Sequence, residues 1–370
     1  MTIETEEELT QAEYYMQECF ELARLSLGRT SPNPVVGAIV LDKTGVPVGK
    51  GFHKAAGLDH AEVIALKQAG EKAKEGTLIV NLEPCCHHGK TPPCTDLIIK
   101  SGIKEVIFSN YDPNKEVYKK SELLLKQNKI KVISNVWDQE GKELNKFFFK
   151  WITQPFPYIT LKQAQTLNAK IGLKDHGNIP ITGEAARCEV HNLRNIHDAV
   201  LVGANTVNID NPNLNVRDIK DGRNPVRIIL DPQLITNPSA NVYKDNASVI
   251  LVTGSSQKKD KLDTFIRHNE KLSILELPLD KKGQIDLKEL FSMLSKKNIL
   301  SVLVEAGPML SSALIQDKLI DEYLLFISLK ILNKNNALQN VNEMQTQEIN
   351  FKLFNHKALG DDLMLSLRPV

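Results

Sequence analysis

His60-Ala61-Glu62 and, further along, Glu83-Pro84-Cys85-Cys86-His87-His88-Gly89-Lys90-Thr91-Pro92-Pro93-Cys94 hold the residue types that bind zinc. A catalytic zinc takes three nitrogen, thiolate or carboxylate ligands and keeps a fourth position for water. His60, Cys85 and Cys94 would supply one imidazole and two thiolates. His60 and Cys94 each fall where a helix is predicted to begin, and a helix's positive end favours a deprotonated cysteine. The metal would bring the pKa of its water toward neutrality. Glu62, two residues past a ligand, can take the proton from that water and return it to a leaving amine. The chemistry is hydrolysis of a C–N bond. Two alternatives stand beside it: a structural zinc, which would need a fourth Cys or His ligand, and Cys86 in place of Cys85. The proline before Cys85 favours Cys85.

These residues need elements to hold them. Residues 11–27 read as a helix with Tyr15, Cys19, Leu22 and Leu25–Ser26 on one stripe. Extended runs at 35–41 and 47–52 flank a Thr44-Gly45 turn. A helix over 61–73, a strand over 77–82 and a helix from Cys94 bracket the candidate ligands. Short strands at 105–110 and 130–134 lie on either side of a helical stretch around 117–127. A single helix is predicted over 141–152. Pro155 and Pro157 cannot continue it, so a border falls there, with a first domain over residues 1–152 and a second over 156–370. Further strands are predicted at 158–164, 199–203, 226–231, 248–254, 299–307 and 322–332. Strand–helix alternation of this kind makes both domains α/β.

Composition narrows the function classes. With 42% hydrophobic and 25% charged residues, the 370-residue chain has material for two cores and is neither disordered nor fibrous. Lys and Arg number 46 against 45 Asp and Glu, a net charge of +1, which argues against a nucleic-acid partner. No apolar run approaches the roughly 18 residues of a membrane span. The acidic start, MTIETEEEL, is unlike a leader peptide, so the expected location is cytoplasmic. Three of the five cysteines cluster within 85–94, which suggests metal before disulfides.

His-x-Glu followed by Pro-Cys…Cys is the signature of the zinc deaminases of nucleobases. The string LEPCCHHGKTPPC, with eight residues between its outer cysteines where that class mostly has two, resembles the deaminase half of the bifunctional riboflavin-biosynthesis deaminase–reductases. The resemblance extends to Ser31-Pro32-Asn33-Pro34-Val35-Val36-Gly37, to Gly51-Phe52-His53 with Gly57, and to Tyr111-Asp112-Pro113-Asn114. It implies a cytidine-deaminase-like domain with zinc on His60, Cys85 and Cys94 and Glu62 as proton shuttle. It also implies Asn33, His53, His87, Lys90, Asp112 and Asn114 as contacts to a pyrimidine ribotide. Two departures are visible. Cys86 stands where the family commonly has serine, and Lys115–Lys120 lacks the two glycines that usually follow Asn114.

In the second half, Val200–Thr206 and Val302–Leu310 each run strand, glycine turn, then helix, an arrangement that suits a phosphate. Without a G-x-G-x-x-G fingerprint, an ordinary strand-to-helix turn is the alternative. Pro157–Lys162, Thr182-Gly183 with Ala186-Arg187, Asp210 through Arg217, Glu305–Pro308 and Asp321-Glu322 resemble the reductase half of the same family, in order. That implies a dihydrofolate-reductase-like domain using NADPH to reduce the ribosyl group. Thr206, Asp210, Gly307, Pro308, Met309 and Leu310 would bind the cofactor. Lys162, Arg194, Leu214, Arg217 and Glu305 would hold the substrate, with Arg194 and Arg217 suited to its phosphate. The resemblance further implies a homo-oligomer. Here Thr166-Leu167-Asn168-Ala169 replaces the family's Ser-Leu-Asp-Gly, and Asn178 and Pro180 replace a Ser-x-Trp. The competing expectation is therefore a deaminase whose second half is a scaffold. His176, His191 and His197 read as structural or surface residues.

Overall fold

The computed structural model describes residues 10–87, 92–173, 179–245, 247–255, 257–341 and 348–370. The chain separates into two compact units, Met1–Pro155 and Phe156–Val370.

In the first unit α1 (Gln11–Arg24) starts at a reciprocal cap between Thr10 and Glu13. Its buried stripe is Met16, Cys19, Phe20 and Ala23, one step round from the expected one, and Leu25 lies past the helix end. The i, i+3, i+4, i+7 set is the wider apolar face, and it wins. The strands β1 (Gly37–Leu41) and β2 (Pro47–Phe52) form a hairpin. The helix α2 (Ala61–Ala69) gives way at Gly70 to a 3-10 turn through Ala73, shorter than the single helix predicted. Then follow β3 (Thr77–Leu82), α3 (Cys94–Lys100), β4 (Glu105–Asn110), α4 (Lys120–Gln127) and β5 (Lys131–Ile133). Two helices close the unit, α5 (Asp138–Leu144) and α6 (Lys146–Thr153), where one was predicted. Asn145 between them is buried and spends its side chain on Val35, donating to the carbonyl and accepting from the N–H. That pairing interrupts the helix and pins the loop that carries Asn33.

Among the described residues this unit's sheet has the order β2-β1-β3-β4-β5, with β3, β4 and β5 parallel. Period-two alternation sends Ala38, Val40, Leu78, Val80, Val106 and Phe108 to one core and Ile39, Leu41, Ile79 and Ile107 to the other. Gly49 and Gly51 in β2 have a particular reason. A Cβ there would stand 2.1 Å from the Ala65 carbonyl and 2.5 Å from that of Ala61. Their absence of side chain lets α2 lie against the strand, which sets the position of His60 and Glu62.

The second unit runs β6 (Tyr158–Thr166), β7 (Lys170–Leu173), α7 (Glu184–Ile196), β8 (Ala199–Gly203), α8 (Ala204–Asp210), β9 (Val226–Leu230), β10 (Val249–Gly254), α9 (Lys259–His268) and β11 (Leu272–Leu277). It continues through α10 (Leu287–Lys296), β12 (Ser301–Glu305), α11 (Pro308–Gln316), β13 (Glu322–Ser328), β14 (Ala337–Gln339), β15 (Phe351–Leu359) and β16 (Asp362–Pro369). Among the described residues the main sheet is ordered β11-β10-β9-β8-β12-β6-β13-β16-β15, parallel from β11 to β13 with an antiparallel hairpin at the edge. Consecutive strands lie on both sides of β6 and β12, so the chain reverses direction of travel there. Such a reversal opens a crevice at the carboxyl ends of the strands. Among the described residues no helix is long and apolar enough to cross a membrane.

The turn at Thr166–Lys170 explains one departure from the family pattern. Asn168 exchanges hydrogen bonds with the backbone of Leu332, 3.1 Å each way, and so staples a turn. Ala169 sits at φ +57, a left-handed conformation that costs an L-residue roughly 1–2 kcal/mol. Glycine would remove that strain at an entropic cost of about 0.5–1 kcal/mol. Ala169→Gly should therefore stabilise the protein by about 0.5–1 kcal/mol, read as a higher denaturant midpoint. A lower midpoint would mean the turn prefers alanine.

Candidate active sites

His60 is the N-cap of α2, Cys85 follows β3, and Cys94 opens α3. Their ligand atoms lie within 4.8 Å of one another. His60 Nδ1 is 3.3 Å from Cys94 Sγ and 3.6 Å from Cys85 Sγ, and the Cys94 N–H donates to Cys85 Sγ at 3.4 Å. A hydrogen bond from Cys94 together with His60 holds the Cys85 thiol down at about 4, while Cys94 is pushed up. One nitrogen and two sulfurs converging at this spacing fit a zinc ion. Cys86 turns away toward the Glu116 carbonyl, 3.8 Å distant, which decides between the two adjacent cysteines.

Glu62 is 4% exposed on the first turn of α2. Burial pushes its carboxyl up, and the Cys85 sulfur adds to the effect. The carboxyl thus gains the proton affinity that a proton shuttle needs.

His60, Glu62 and Cys85 line a cavity of about 330 Å³ that also takes in Asn33, His53, His87, Asp112 and Asn114, with Cys94 buried behind them. His53 is buried, with Nδ1 3.1 Å from the Asp59 carbonyl and Nε2 3.0 Å from Asn33 Nδ2. A carbonyl only accepts, so Nδ1 carries the proton and Nε2 accepts from Asn33. Asn33 is thereby fixed with its amide oxygen left for another donor. His53, expected as a direct contact, is held on both ring nitrogens and orients Asn33. Asp112, at the carboxyl end of β4, is pushed up to about 6 by burial. His87 Nδ1 is buried with no partner among the described residues. Lys90 lies outside the described residues. Sequence reasoning missed Phe148, which reaches the cavity from α6.

The second unit has its own cavity, of about 520 Å³, at the carboxyl ends of β6, β8 and β12. Lys162, Arg194, Thr206, Asp210, Leu214, Arg217, Glu305 and Gly307 all line it. Lys162 and Glu305 face each other across the parallel pair of β6 and β12, with Nζ 3.8 Å from the carboxylate. Arg194 grips that carboxylate with two hydrogen bonds, 2.6 and 3.0 Å, and donates a third to the Asn215 carbonyl. Burial pushes Glu305 up, but Arg194 and Lys162 outweigh it and hold the carboxyl at about 2.

Two expectations change here. Arg194, expected at a phosphate, is engaged by Glu305. Arg217 has no side-chain partner among the described residues and is the freer guanidinium. Pro308, Met309 and Leu310 do not line the cavity. Met309 is 63% exposed and Leu310 packs on the core, which leaves the backbone at this helix start, less the N–H that Pro308 lacks. His191 is structural as expected, buried with Nδ1 3.1 Å from the Asn215 carbonyl, and it also lines the cavity, because α7 places it one turn before Arg194. His197 is buried between Leu193 and Thr160, as a structural residue should be. Pro180 reaches the cavity wall, and His176 and Asn178 lie outside the described residues.

The model of the RibD C-terminal domain matches residues 157–365, and that of the cytidine and deoxycytidylate deaminase zinc-binding region matches residues 9–110. The riboflavin biosynthesis protein RibD of Aquifex aeolicus is 40% identical over 354 residues, covering 95% of this chain and 96% of the relative. The chain belongs to the RibD family. It is an enzyme with a deaminase and a reductase domain in riboflavin biosynthesis. RibD of Escherichia coli is 36% identical, covering 87% of this chain and 89% of the relative. Among solved structures, Acinetobacter baumannii RibD superposes with a TM-score of 0.87 at 35% identity, covering 98% and 100% of the two chains. A Thermotoga maritima diaminohydroxyphosphoribosylaminopyrimidine deaminase/5-amino-6-(5-phosphoribosylamino)uracil reductase gives 0.86 at 37%, covering 97% and 99%.

Proposed function

We propose that the first unit deaminates 2,5-diamino-6-ribosylamino-4(3H)-pyrimidinone 5′-phosphate and the second reduces the resulting 5-amino-6-(5-phosphoribosylamino)uracil with NADPH. The observation that carries the reading is the buried Glu62 carboxyl beside the His60, Cys85 and Cys94 trio at one end of a cavity. His60, Cys85 and Cys94 would hold a zinc ion, which would supply water activation at neutral pH. The Glu62 carboxyl would hold a proton and pass it to the departing amine. Asn33, its amide fixed by His53, accepts a hydrogen bond from the pyrimidine. His87, Asp112 and Asn114 complete the wall toward the ribose phosphate, and Lys90 offers it a charge.

In the second unit NADPH supplies the hydride, and the protein's part is alignment. Thr206, Asp210 and the Gly307 turn hold the cofactor. Lys162 and Glu305 hold the pyrimidine end, Leu214 packs against it, and Arg217 takes the phosphate. Arg194 acts by fixing Glu305.

The test is a two-stage assay on zinc-loaded protein, following the diaminopyrimidine ribotide by mass spectrometry without and then with NADPH. Deamination in the first stage and NADPH-dependent reduction in the second are expected. Deamination with no NADPH consumption would leave the second unit as a scaffold, and no deamination would overturn the reading of the first.

A further inference from the structure

We propose that Glu83 is a positioning residue for the deaminase reaction, fastening the Asp112–Asn114 wall of the cavity to the loop of zinc ligands. The inference rests on the deaminase reading above. Glu83 is 3% exposed and stands between the end of β3 and Cys85. Its carboxylate accepts three backbone N–H groups from a single distant segment. Oε2 takes Asp112 at 3.3 Å and Lys119 at 3.1 Å, and Oε1 takes Glu122 at 3.4 Å.

The pattern has a local cause. Lys119 is the N-cap of α4, sits at φ +59 and makes no side-chain cap bond. The first-turn amides of a helix need acceptors from outside it. Here the acceptor comes from Glu83, 36 residues earlier. The helix start, which in sequence lacks the expected glycines, is thus capped by the strand that leads into Cys85. The third bond, to Asp112, ties the same carboxylate to the cavity wall.

The wall has its own internal bonds, Asn114 N–H to Asp112 at 2.8 Å and Glu116 N–H to Asn114 at 3.0 Å. Those bonds shape the turn but do not set its distance from the zinc ligands. Three bonds to one side chain fix the turn where a single one would leave it free to pivot. Glu83 itself borders the cavity, but both its oxygens accept backbone amides, so its effect on the reaction is assigned to the placement of Asp112 and Asn114. Removing it should loosen substrate binding and leave the proton-shuttling machinery intact.

The experiment compares wild type, Glu83→Ala and Glu83→Gln as full-length, zinc-loaded protein. Three quantities are read: kcat and KM for the diaminopyrimidine ribotide, zinc per chain, and amide hydrogen exchange. For Glu83→Ala we expect KM to rise about tenfold or more with kcat within about threefold, and zinc to be retained. Exchange should quicken across residues 112–122 while β3 and β4 stay protected. Glu83→Gln keeps the size and one acceptor oxygen, so its KM should fall between the two, and it carries the test if the alanine variant does not fold. An unchanged KM, loss of zinc, or a fall in kcat at constant KM would overturn the inference. A wild-type protein that does not deaminate would overturn the functional reading and this inference with it. An active wild type with indifferent variants would overturn this inference alone.

Discussion

Glu62→Gln lowers the rate of deamination by about 10²–10⁴-fold, the usual contribution of a positioned acid–base group. The substitution keeps the size and the hydrogen-bonding reach of the side chain but cannot carry a proton. Glu62 lies on α2 two residues after His60, and α2 is held close to the sheet by Gly49 and Gly51. The packing that places His60, Cys85 and Cys94 is untouched by the change, so zinc content should stay at the wild-type value. Reduction in the second unit should also continue, since its cavity is built from other residues. Steady-state rates with each pyrimidine, beside metal analysis, check all three. Retained deamination would remove Glu62 from the chemistry and point to a structural metal.

Glu305→Ala has the second large effect, on stability as well as activity. Glu305 is 13% exposed as a side chain, and so is Arg194, while Lys162 is 16% exposed. Removing the carboxylate leaves two buried cations facing each other with no counter-charge. Breaking a buried pair in this way typically costs about 3–5 kcal/mol. The denaturant midpoint of the second unit should fall accordingly, and NADPH oxidation should cease. The wild-type protein should show the same interaction through pH. Glu305 is held at about 2, below its ordinary 4.5, so above 4.5 its contribution is complete. As pH falls from 4.5 toward 2 the unfolded chain binds the proton first, and stability drops. The loss amounts to about 3 kcal/mol across that window. In Glu305→Ala the slope of stability against pH there should be shallower. An equal slope would assign acid sensitivity to other carboxylates.

Much of the fold and of the first site is legible in the sequence, for identifiable reasons. Strands at 77–82, 105–110 and 199–203 are short β-branched runs bounded by turn residues, and they form where expected. The convergence of His60, Cys85 and Cys94 was readable because ligand chemistry restricts residue type, and it is Cys85, the cysteine after the proline, that faces the other two. What the sequence hid depends on distant partners. The break between α5 and α6 comes from Asn145 reaching Val35, 110 residues away. His53 lines the cavity, but its hold on Asn33 was hidden, because the Asp59 carbonyl that fixes its ring could not be foreseen as a partner. His191 gained its place in the second cavity only when α7 packed beside β12. The hairpin of β15 and β16 escaped notice because β15 is exposed along nearly its whole length and lacks the alternation of a half-buried strand. Arg194 was legible as a site residue, but its engagement by Glu305 was not, since the two are 111 residues apart.

The most direct measurement gives the Glu62→Gln variant, with NADPH, each of the two pyrimidines in turn and follows NADPH oxidation. With the deaminated 5-amino-6-(5-phosphoribosylamino)uracil the variant should oxidise NADPH at the wild-type rate. With the diamino ribotide it should oxidise almost none, because the first step is blocked and the second has nothing to act on. Oxidation of NADPH at full rate with the diamino ribotide would contradict the order of the two reactions. Failure with both compounds would contradict the assignment of reduction to a separate site in the second unit.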